Sequence, residues 1–417
     1  MCQTKHPQDQ ESSEEEEAVP MMSNTDESDV SMSDSSSDNE DVNVNESCIL
    51  DNSESDIEES QEIEDEEEDE TIKAIRNENQ RERDRPPNIQ CEDFITDISF
   101  HPHNNLLAVA NIVGDVLLYQ YSNNENKLIN TLELHTKACR DIEFSLDGNL
   151  LLSTSKDKSV MISDAESGKL VKFYENAHEV PIYCLSVIDE NILATGDDDG
   201  TIKLWDLREK SDKQIYKTKK NEDYISDMVT NEPKKYLVCS SGDGSIISID
   251  LQNRKVHMQS EEYEEELTCL GVFRSETKLI SGSSKGKLFV YNWEEFGLHS
   301  DIFPGPKTSI NALIPITENI VVTACEDGNL RATHLFPHRH LGVVGQHDLS
   351  IENVDICNTG QFIASSSHNN DIKFWNIQYF EDFEKVNHKK HNKKKELKNN
   401  LPSSNIKNAS EFFSGLC

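Results

Sequence analysis

Short apolar segments alternate with tight polar turns along most of the chain, and their spacing is regular. In the clearest example, Ile192–Arg208, an apolar run meets an Asp-Gly turn, and an alternating strand then ends in Trp-Asp. Seven segments share this pattern, and their turn-glycine position is occupied by Gly114, Lys158, Gly200, Gly244, Gly286, Gly328 and Asn370. These positions are 42 or 44 residues apart (44 from Gly114 to Lys158, 42 from Lys158 to Gly200). The pattern predicts the same β-hairpin in seven consecutive repeats.

The repeat length indicates the fold. The position five residues after the turn holds Tyr119, Ser163, Trp205, Ile249, Tyr291, Thr333 and Trp375. A period of about 40–45 residues with Trp-Asp endings is typical of WD repeats. A blade of four short strands cannot bury both of its faces alone, so several blades must close into a ring. We therefore predict an all-β protein, a seven-bladed WD-repeat β-propeller over residues 86–380.

The strand that closes the ring could come from either end of the repeat region. One candidate is Arg81–Gln90, and the other is Gln378–Val386. Pro86 and Pro87 are compatible with an edge strand, which leaves both assignments open. Outside the propeller we predict an acidic, Ser-rich disordered arm over residues 1–85. Residues 381–417 are predicted to form a Lys-rich disordered tail that ends in the motif FFSGL.

In the most regular repeats we expect a buried hydrogen-bond network of four residues: a His before the blade, a Ser or Thr, the turn Asp and the Trp. The third repeat has His178, Thr195, Asp199 and Trp205. The second has His135, Ser153 and Asp157 with Ser163 in place of Trp, and the seventh has His347, Ser365 and Trp375 with Asn369 in place of Asp. The remaining repeats lack the His. Because the set recurs repeat by repeat, we interpret it as structural rather than as a Ser/His/Asp catalytic set.

The negative charge of the chain is concentrated in the N-terminal arm. The whole sequence has a formal net charge of −39. Residues 1–80 are rich in Asp, Glu, Ser and Asn and nearly free of aromatics, which predicts disorder. Five serines with an acid three residues downstream are candidate sites for acidophilic kinases: Ser13, Ser31, Ser35, Ser37 and Ser53. The arm is either a solubilising segment or one that engages basic partners, such as histones or ribosomal proteins, or masks the basic tail.

The C-terminal tail carries the opposite charge. Its segment KKHNKKKELK predicts a nuclear import signal or a contact to a phosphate backbone, with a solvated tail as the alternative; its lysines are Lys389, Lys390, Lys393, Lys394, Lys395 and Lys398. Neither Arg nor an aromatic interleaves them, so base-specific readout is not indicated. Phe412, Phe413 and Leu416 predict a short docking motif, unless the end of the chain packs back on the propeller.

Several kinds of chemistry are not indicated. The ten cysteines are spread singly without a CxxC pair, which argues against a zinc or redox site and for a reducing compartment. There is no apolar signal-peptide region and no apolar run long enough for a transmembrane helix. Phosphate-loop, HExxH and GxSxG motifs are missing from the sequence. We expect no metal, no cofactor, no membrane contact and no enzymatic activity.

Five irregular segments, four within the repeats and one at the end of the tail, go beyond the general WD pattern: LATGDDDGTIKLWDLR (Leu193–Arg208), NEDYISDM (Asn221–Met228), YNWEEFGLHSDIF (Tyr291–Phe303), LGVVGQH (Leu341–His347) and FFSGL (Phe412–Leu416). In these segments the sequence is similar to the WD repeat-containing protein 55 family. The resemblance spans about Phe94 to Leu416 and leaves out the acidic arm. It implies a nucleolar protein that supports ribosomal RNA production and ribosome assembly. The residues alone indicate a nuclear binding scaffold, with the cytoplasm left open as a further location.

Two protein-binding functions are compatible with the sequence. The first is a scaffold whose partners are pre-ribosomal or nucleolar proteins. The second is a substrate receptor of a cullin-RING ubiquitin ligase, because Trp205–Arg208 matches the WDxR box by which such receptors dock on the ligase adaptor, with Asp206 and Arg208 as the contact residues. Direct RNA binding by the negatively charged propeller is left open. A closed ring exposes little strand edge, so we expect a monomer.

Overall fold

The computed structural model describes residues 70–80, 84–210 and 213–380. These residues contain twenty-eight β-strands, which form seven four-stranded antiparallel sheets. The innermost strand of each sheet contacts the innermost strands of the two neighbouring sheets, and the last sheet contacts the first. The sheets are thus the blades of a closed β-propeller around a central channel, which confirms the predicted fold class.

Each blade is numbered here in chain order, and its strands are given from the channel outward. Blades 1 to 4 contain β2 (Ile95–Phe100), β3 (Leu106–Asn111), β4 (Asp115–Gln120), β5 (Lys127–Glu133); β6 (Cys139–Phe144), β7 (Leu150–Ser155), β8 (Val160–Asp164), β9 (Leu170–Tyr174); β10 (Ile182–Val187), β11 (Ile192–Asp197), β12 (Thr201–Asp206), β13 (Tyr216–Lys219); and β14 (Ile225–Thr230), β15 (Tyr236–Ser241), β16 (Ile246–Asp250), β17 (Lys255–Gln259). Blades 5 to 7 contain β18 (Leu267–Phe273), β19 (Lys278–Ser283), β20 (Leu288–Asn292), β21 (Asp301–Phe303); β22 (Ile310–Pro315), β23 (Ile320–Cys325), β24 (Asn329–His334), β25 (Arg339–Gln346); and β26 (Ile351–Ile356), β27 (Phe362–Ser367), β28 (Asp371–Asn376), β1 (Ile89–Gln90).

The position of a strand within its blade explains its sequence. The second strands are almost wholly buried, as in β15 and β23, because neighbouring blades cover both of their faces. The outer strands have one face in solvent, and β17 accordingly alternates between exposed and half-buried positions. The predicted turns lie between the second and third strands. Gly200 has a φ of 76°, and Lys158 and Asn370 adopt positive φ without glycine, at 74° and 59°.

The N-terminal segment closes the ring. Strand β1 pairs with β28 through Ile89 opposite Ile372 and Gln90 opposite Asp371. Just beyond the strand, the Cys91 N–H donates to the Asn370 carbonyl at 2.9 Å. Of the two segments that the sequence left open, Arg81–Gln90 therefore supplies the closing strand.

One part of the arm is folded, which corrects the prediction of disorder over residues 1–85. Helix α1 (Glu70–Gln80) packs on β25, the outer strand of blade 6, and Ile75 is buried there beside Leu341 and Val344. Further along, the Arg85 guanidinium lies 4.8 Å from the centre of the Trp375 ring. The average composition of the arm conceals this helix, because an isoleucine contact to a blade can stabilise a short helix that would not form alone.

The other predictions for the two ends of the chain concern residues outside the described ranges. They are the arm over residues 1–69, its serine sites, the lysines of the tail and the FFSGL motif. These stay predictions.

Candidate functional site

Blade 3 contains a linear series of hydrogen bonds between four side chains, and His178 is one of the two in the middle. The Trp205 Nε1–H donates to the Thr195 hydroxyl at 2.8 Å, and that hydroxyl lies 2.7 Å from Nε2 of His178. On the other side of the ring, Nδ1 lies 2.7 Å from the carboxylate of Asp197. The proton arrangement that satisfies every group has Thr195 donating to Nε2 and Nδ1–H donating to Asp197. His178, Thr195 and Trp205 are thus brought together as the sequence predicts.

The acid of this network is Asp197, which corrects the prediction of Asp199. The Asp199 carboxylate instead forms an ion pair with Lys219, and both side chains are about half exposed, at 57% and 47%. The difference arises in the turn. Asp197 is the last residue of β11 and points inward, where its Oδ1 also accepts the N–H groups of Asp199 and Thr201. Because three aspartates follow one another in the sequence, their order alone does not show which of them faces the core.

In blade 7, the other blade with a complete network, the acid comes from a different turn position. There, Asp371 follows the turn and lies 3.0 Å from Nδ1 of His347, so Asn369 is not its substitute. Ser365 links His347 to Trp375 by contacts of 2.7 and 2.8 Å, as in blade 3. These contacts place His347, Ser365 and Trp375 in one network.

Blade 2 has a network without a tryptophan. His135 Nε2 lies 2.9 Å from the Ser153 hydroxyl, and Nδ1 lies 3.3 Å from Asp157. Ser159 sits between the ring and that carboxylate, 3.0 Å from Nδ1. Ser163 occupies the tryptophan position, and its buried hydroxyl has no hydrogen-bond partner. The shorter side chain fills the position but does not complete the chain of hydrogen bonds.

Two blades that lack the His use other polar residues, which the sequence reasoning missed. Asn221 donates to the Ser245 hydroxyl at 2.9 Å in blade 4. In blade 5, Glu265 accepts from Ser283 at 2.6 Å and pairs with Lys287. A spacing signal was available for the first: Asn221 lies four residues before Ile225, as His178 lies four before Ile182.

The side chains of the networks in blades 3 and 7 are buried, and the pKa values of His178, Asp197 and His347 are shifted by burial and by their hydrogen bonds. Burial lowers the pKa of His178 and His347, which keeps both imidazoles neutral at pH 7. Burial opposes the charge of Asp197, but the hydrogen bonds from His178 and the Thr201 N–H hold its pKa below its ordinary value. Thr195 and Ser365 are fully buried, so no substrate reaches their hydroxyls. The arrangement stabilises the blades and offers no nucleophile.

Carboxyl groups on the inner strands link four pairs of neighbouring blades around the channel: blades 1 and 2, 2 and 3, 4 and 5, and 7 and 1. The Asp97 side chain accepts the Ile142 N–H at 2.8 Å, and Asp227 accepts the Leu270 N–H at 2.7 Å. The same contact recurs from Asp141 to Leu185, from Glu143 to Val187 and from Asp355 to Phe100. Desolvation raises the pKa of Asp227 to about 7 and that of Glu143 to about 8. The repeat pattern did not indicate these groups.

One end of the channel carries a row of aromatic and charged side chains, which we call the channel mouth: Phe94, Arg140, Tyr183, Tyr224, Glu266 and Glu352. The channel has a volume of about 720 Å³. The rings of Tyr183 and Tyr224 are 4.7 Å apart, and the Tyr224 hydroxyl donates to Glu266 at 3.1 Å. The Arg140 guanidinium pairs with Asp198 and lies 5.4 Å from the Tyr183 ring centre.

Three residues of the mouth, Arg140, Tyr183 and Glu352, occupy bulges at the second residue of their inner strands. The pairing of β6 with β7 and of β10 with β11 shifts register at the second residue, which leaves Arg140 and Tyr183 out of the ladder. A bulged residue is free to point away from the sheet. Here it points toward the channel, where Tyr183 is 39% exposed. Bulges position exposed side chains around this end of the ring.

Arg208 lies at the other end of blade 3, beyond the last residue of β12. Its guanidinium makes two hydrogen bonds to Asp206, from Nε at 2.9 Å and from Nη2 at 2.7 Å. The Arg208 side chain is 66% exposed. A bidentate contact fixes the orientation of the guanidinium while leaving donors for another molecule.

Few other groups within the described residues suggest chemistry. Their cysteines are buried free thiols, and burial raises the pKa of Cys184 and Cys239. No group of three His, Cys, Asp or Glu side chains there is placed to hold a metal ion. Among the described residues, no helix is long and apolar enough to cross a membrane.

Comparison with known proteins identifies the family. The WDR55 family model matches residues 86–380. The WD repeat-containing protein 55 homolog of Aedes aegypti is 52% identical over 368 residues, which cover 88% of this chain and 76% of that protein. The homologs of Drosophila willistoni and Drosophila melanogaster are 53% and 52% identical over 348 residues, covering 83% of this chain and 69% and 70% of theirs. The chain therefore belongs to the WDR55 family of WD-repeat proteins.

Proposed function

We propose that the protein is a non-enzymatic scaffold of the nucleus and nucleolus that supports ribosomal RNA production and ribosome biogenesis by binding proteins. The observation that carries the binding role is the channel mouth, where Tyr183 is held by neighbouring side chains yet exposed. Aromatic residues with little freedom to move are favourable anchors in protein interfaces. The nucleolar part of the proposal rests on the resemblance of the sequence and on the Lys-rich tail.

The absence of enzymatic activity is proposed from the burial of the reactive groups. The His, Ser or Thr and Asp side chains that resemble a catalytic set are His178, Thr195 and Asp197, all at most 2% exposed. Each already has a hydrogen-bond partner within the blade. A nucleophile must approach a substrate to within about 3 Å, which this geometry prevents.

Proximity labelling of the tagged full-length chain in cells tests the scaffold proposal. We expect enrichment of nucleolar proteins and ribosome assembly factors. A version cut after Phe380 should lose the nucleolar enrichment, because it lacks the Lys-rich segment. Tyr183→Ser should stay in the nucleolus but lose individual partners. The matched control is Phe173→Ser on outer strand β9, since Phe173 is also 39% exposed. A labelled set without ribosome assembly factors would contradict the proposal.

Arg208 supports a second candidate function, that of a substrate receptor of a cullin-RING ubiquitin ligase. Its exposed guanidinium is oriented by Asp206, as a docking contact to the ligase adaptor requires. Arg208→Ala should then abolish co-purification of the adaptor and cullin, while Arg254→Ala, an exposed arginine of blade 4, should not. Retained co-purification in Arg208→Ala would remove this candidate and leave the scaffold proposal unaffected.

A further inference from the structure

We infer that the channel mouth binds a lysine or arginine side chain of a basic peptide segment on a partner protein. This inference rests on the proposed protein-binding function and names the chemistry of the partner. The mouth offers a cavity, an aromatic wall and a negative field together, and each of these observations is independent of the others.

The charge of the channel selects a cation. Of the described residues that line it, seven carry a carboxyl group and one, Arg140, carries a guanidinium; the acids are Asp97, Asp141, Glu143, Asp227, Glu266, Glu352 and Asp355. Burial raises the pKa of Glu143 to about 8 and that of Asp227 to about 7, so the negative field at the mouth comes mainly from the more accessible Glu266 and Glu352. A cleft with walls of low dielectric concentrates such a field at its opening. The same field repels phosphate, so a nucleic acid is disfavoured at this end of the channel. The partner segment should be positively charged.

The aromatic wall shows how a cation would be held. The Arg140 guanidinium already lies 5.4 Å from the centre of the Tyr183 ring, within the range of a cation–π contact. Arg140 is itself fixed by Asp198 and by the Ile182 carbonyl, 3.2 Å from its Nη1. Tyr183 is 39% exposed, and Glu266 is exposed two blades further, next to Tyr224. A charged side chain lying between them would contact a ring and a carboxylate together.

The dimensions favour an inserted side chain over a surface contact alone. The channel has a volume of about 720 Å³, which exceeds that of a lysine or arginine side chain several-fold. Its walls below the mouth are lined by carboxyl groups, of which Asp97 already accepts three hydrogen bonds and Asp227 two. A carboxylate oxygen pair has about four acceptor sites, so each can accept a further hydrogen bond from an entering ammonium or guanidinium group.

Fluorescence anisotropy on the full-length chain tests this inference. The probe is a fluorescein-labelled peptide of alternating glycine with lysine or arginine, used at roughly 0.15 M salt so that long-range attraction is screened beyond about 8 Å. The neutral comparison probe carries acetyl-lysine and citrulline at the same positions. We expect Tyr183→Ser to weaken binding of the charged probe about tenfold and Glu266→Gln about threefold. The neutral probe should bind at least about tenfold more weakly than the charged one.

Matched controls separate the mouth from the rest of an acidic chain. Phe173→Ser removes an equally exposed aromatic ring from an outer strand, and Glu264→Gln removes an exposed carboxylate two residues from Glu266 that does not line the channel. Both should change the affinity by less than about twofold. Equal binding of the charged probe to wild type, Tyr183→Ser and Glu266→Gln would overturn the inference, because the acidic arm would then hold the probe.

Two further outcomes would also overturn it. The first is equal binding of the charged and neutral probes. The second is binding of a single-stranded RNA oligonucleotide that is lost in Tyr183→Ser, since that would make the mouth a nucleic-acid site. The inference can fail while the proposed function holds: if Tyr183→Ser loses partners in cells but neither peptide binds, the mouth is a protein interface whose partner is not basic. The proposed function itself fails if the labelled set lacks ribosome assembly factors, whatever the peptides do.

Discussion

The buried network of blade 3 and the channel mouth both combine aromatic rings with carboxyl groups, but they differ in what these groups contact. His178, Thr195 and Trp205 are at most 2% exposed and bonded to one another. Tyr183 and Glu266 are exposed, and their contacts leave a ring and a carboxylate open to solvent. A polar group whose every partner lies inside the blade contributes to stability, whereas one with a free side can contribute to binding. Exposure and unsatisfied capacity, rather than residue type, separate structural from functional positions here.

The largest effect is expected where a buried network loses its centre. His178→Ala removes both hydrogen bonds of the imidazole. The buried side chains of Thr195 and Asp197 then lack that hydrogen-bond partner. We expect the free energy of unfolding to fall by about 3 kcal/mol. Urea denaturation measures this, with exposed His103→Ala as the control. A loss below about 1 kcal/mol would mean that the network adds little to the stability of the blade.

A pair of aspartates tests which acid belongs to the network. Asp197→Asn keeps the shape but removes the charge that His178 and two backbone N–H groups contact. The free energy of unfolding should fall by roughly 1.5 kcal/mol. Asp199→Asn breaks only the exposed pair with Lys219, and its effect should stay within about 0.5 kcal/mol. The reverse ranking in the same denaturation assay would restore Asp199 to the network.

Asp197 and Asp199 also show which features of the structure can be predicted from the sequence and which cannot. The turn spacing predicts all seven blades, because each turn must reverse the chain at the same point of its repeat. The direction of a side chain within a turn depends on local φ and ψ, so Asp197 and Asp371 could not be recognised from spacing alone. Helix α1 was missed because a single buried side chain, Ile75, stabilises it through a contact distant in sequence. The channel mouth depends on bulges, which the alternation of polar and apolar residues does not reveal.

The channel acids should differ from the network acid in their response to pH. Desolvation raises the pKa of Glu143 to about 8, above the value of about 4.3 for an exposed glutamate. Its contribution to stability is therefore fully present below about pH 4 and is lost as the pH rises through about 8. Asp197 has a lowered pKa, so its contribution is constant in that range and is lost only in acid.

Glu143→Gln isolates this contribution. Between about pH 7 and 9 the wild type should lose roughly 1 kcal/mol more of its free energy of unfolding than Glu143→Gln does. The range starts at pH 7 because the buried histidines, whose pKa is lowered, act in the opposite direction below about pH 6.5. Denaturant titrations at several pH values measure the difference. Parallel curves for the two proteins would show that Glu143 is ionised throughout.

The smallest effect on stability is expected at the channel mouth, where binding should change most. Glu266→Gln retains an oxygen that accepts the Tyr224 hydroxyl, and the side chain is exposed. The free energy of unfolding should therefore change by less than about 0.5 kcal/mol. The same variant is expected to weaken binding of the charged peptide, so stability and affinity should separate at this residue. A fall in stability as large as that of Asp197→Asn would place Glu266 among the structural groups and remove the distinction between the mouth and the blade networks.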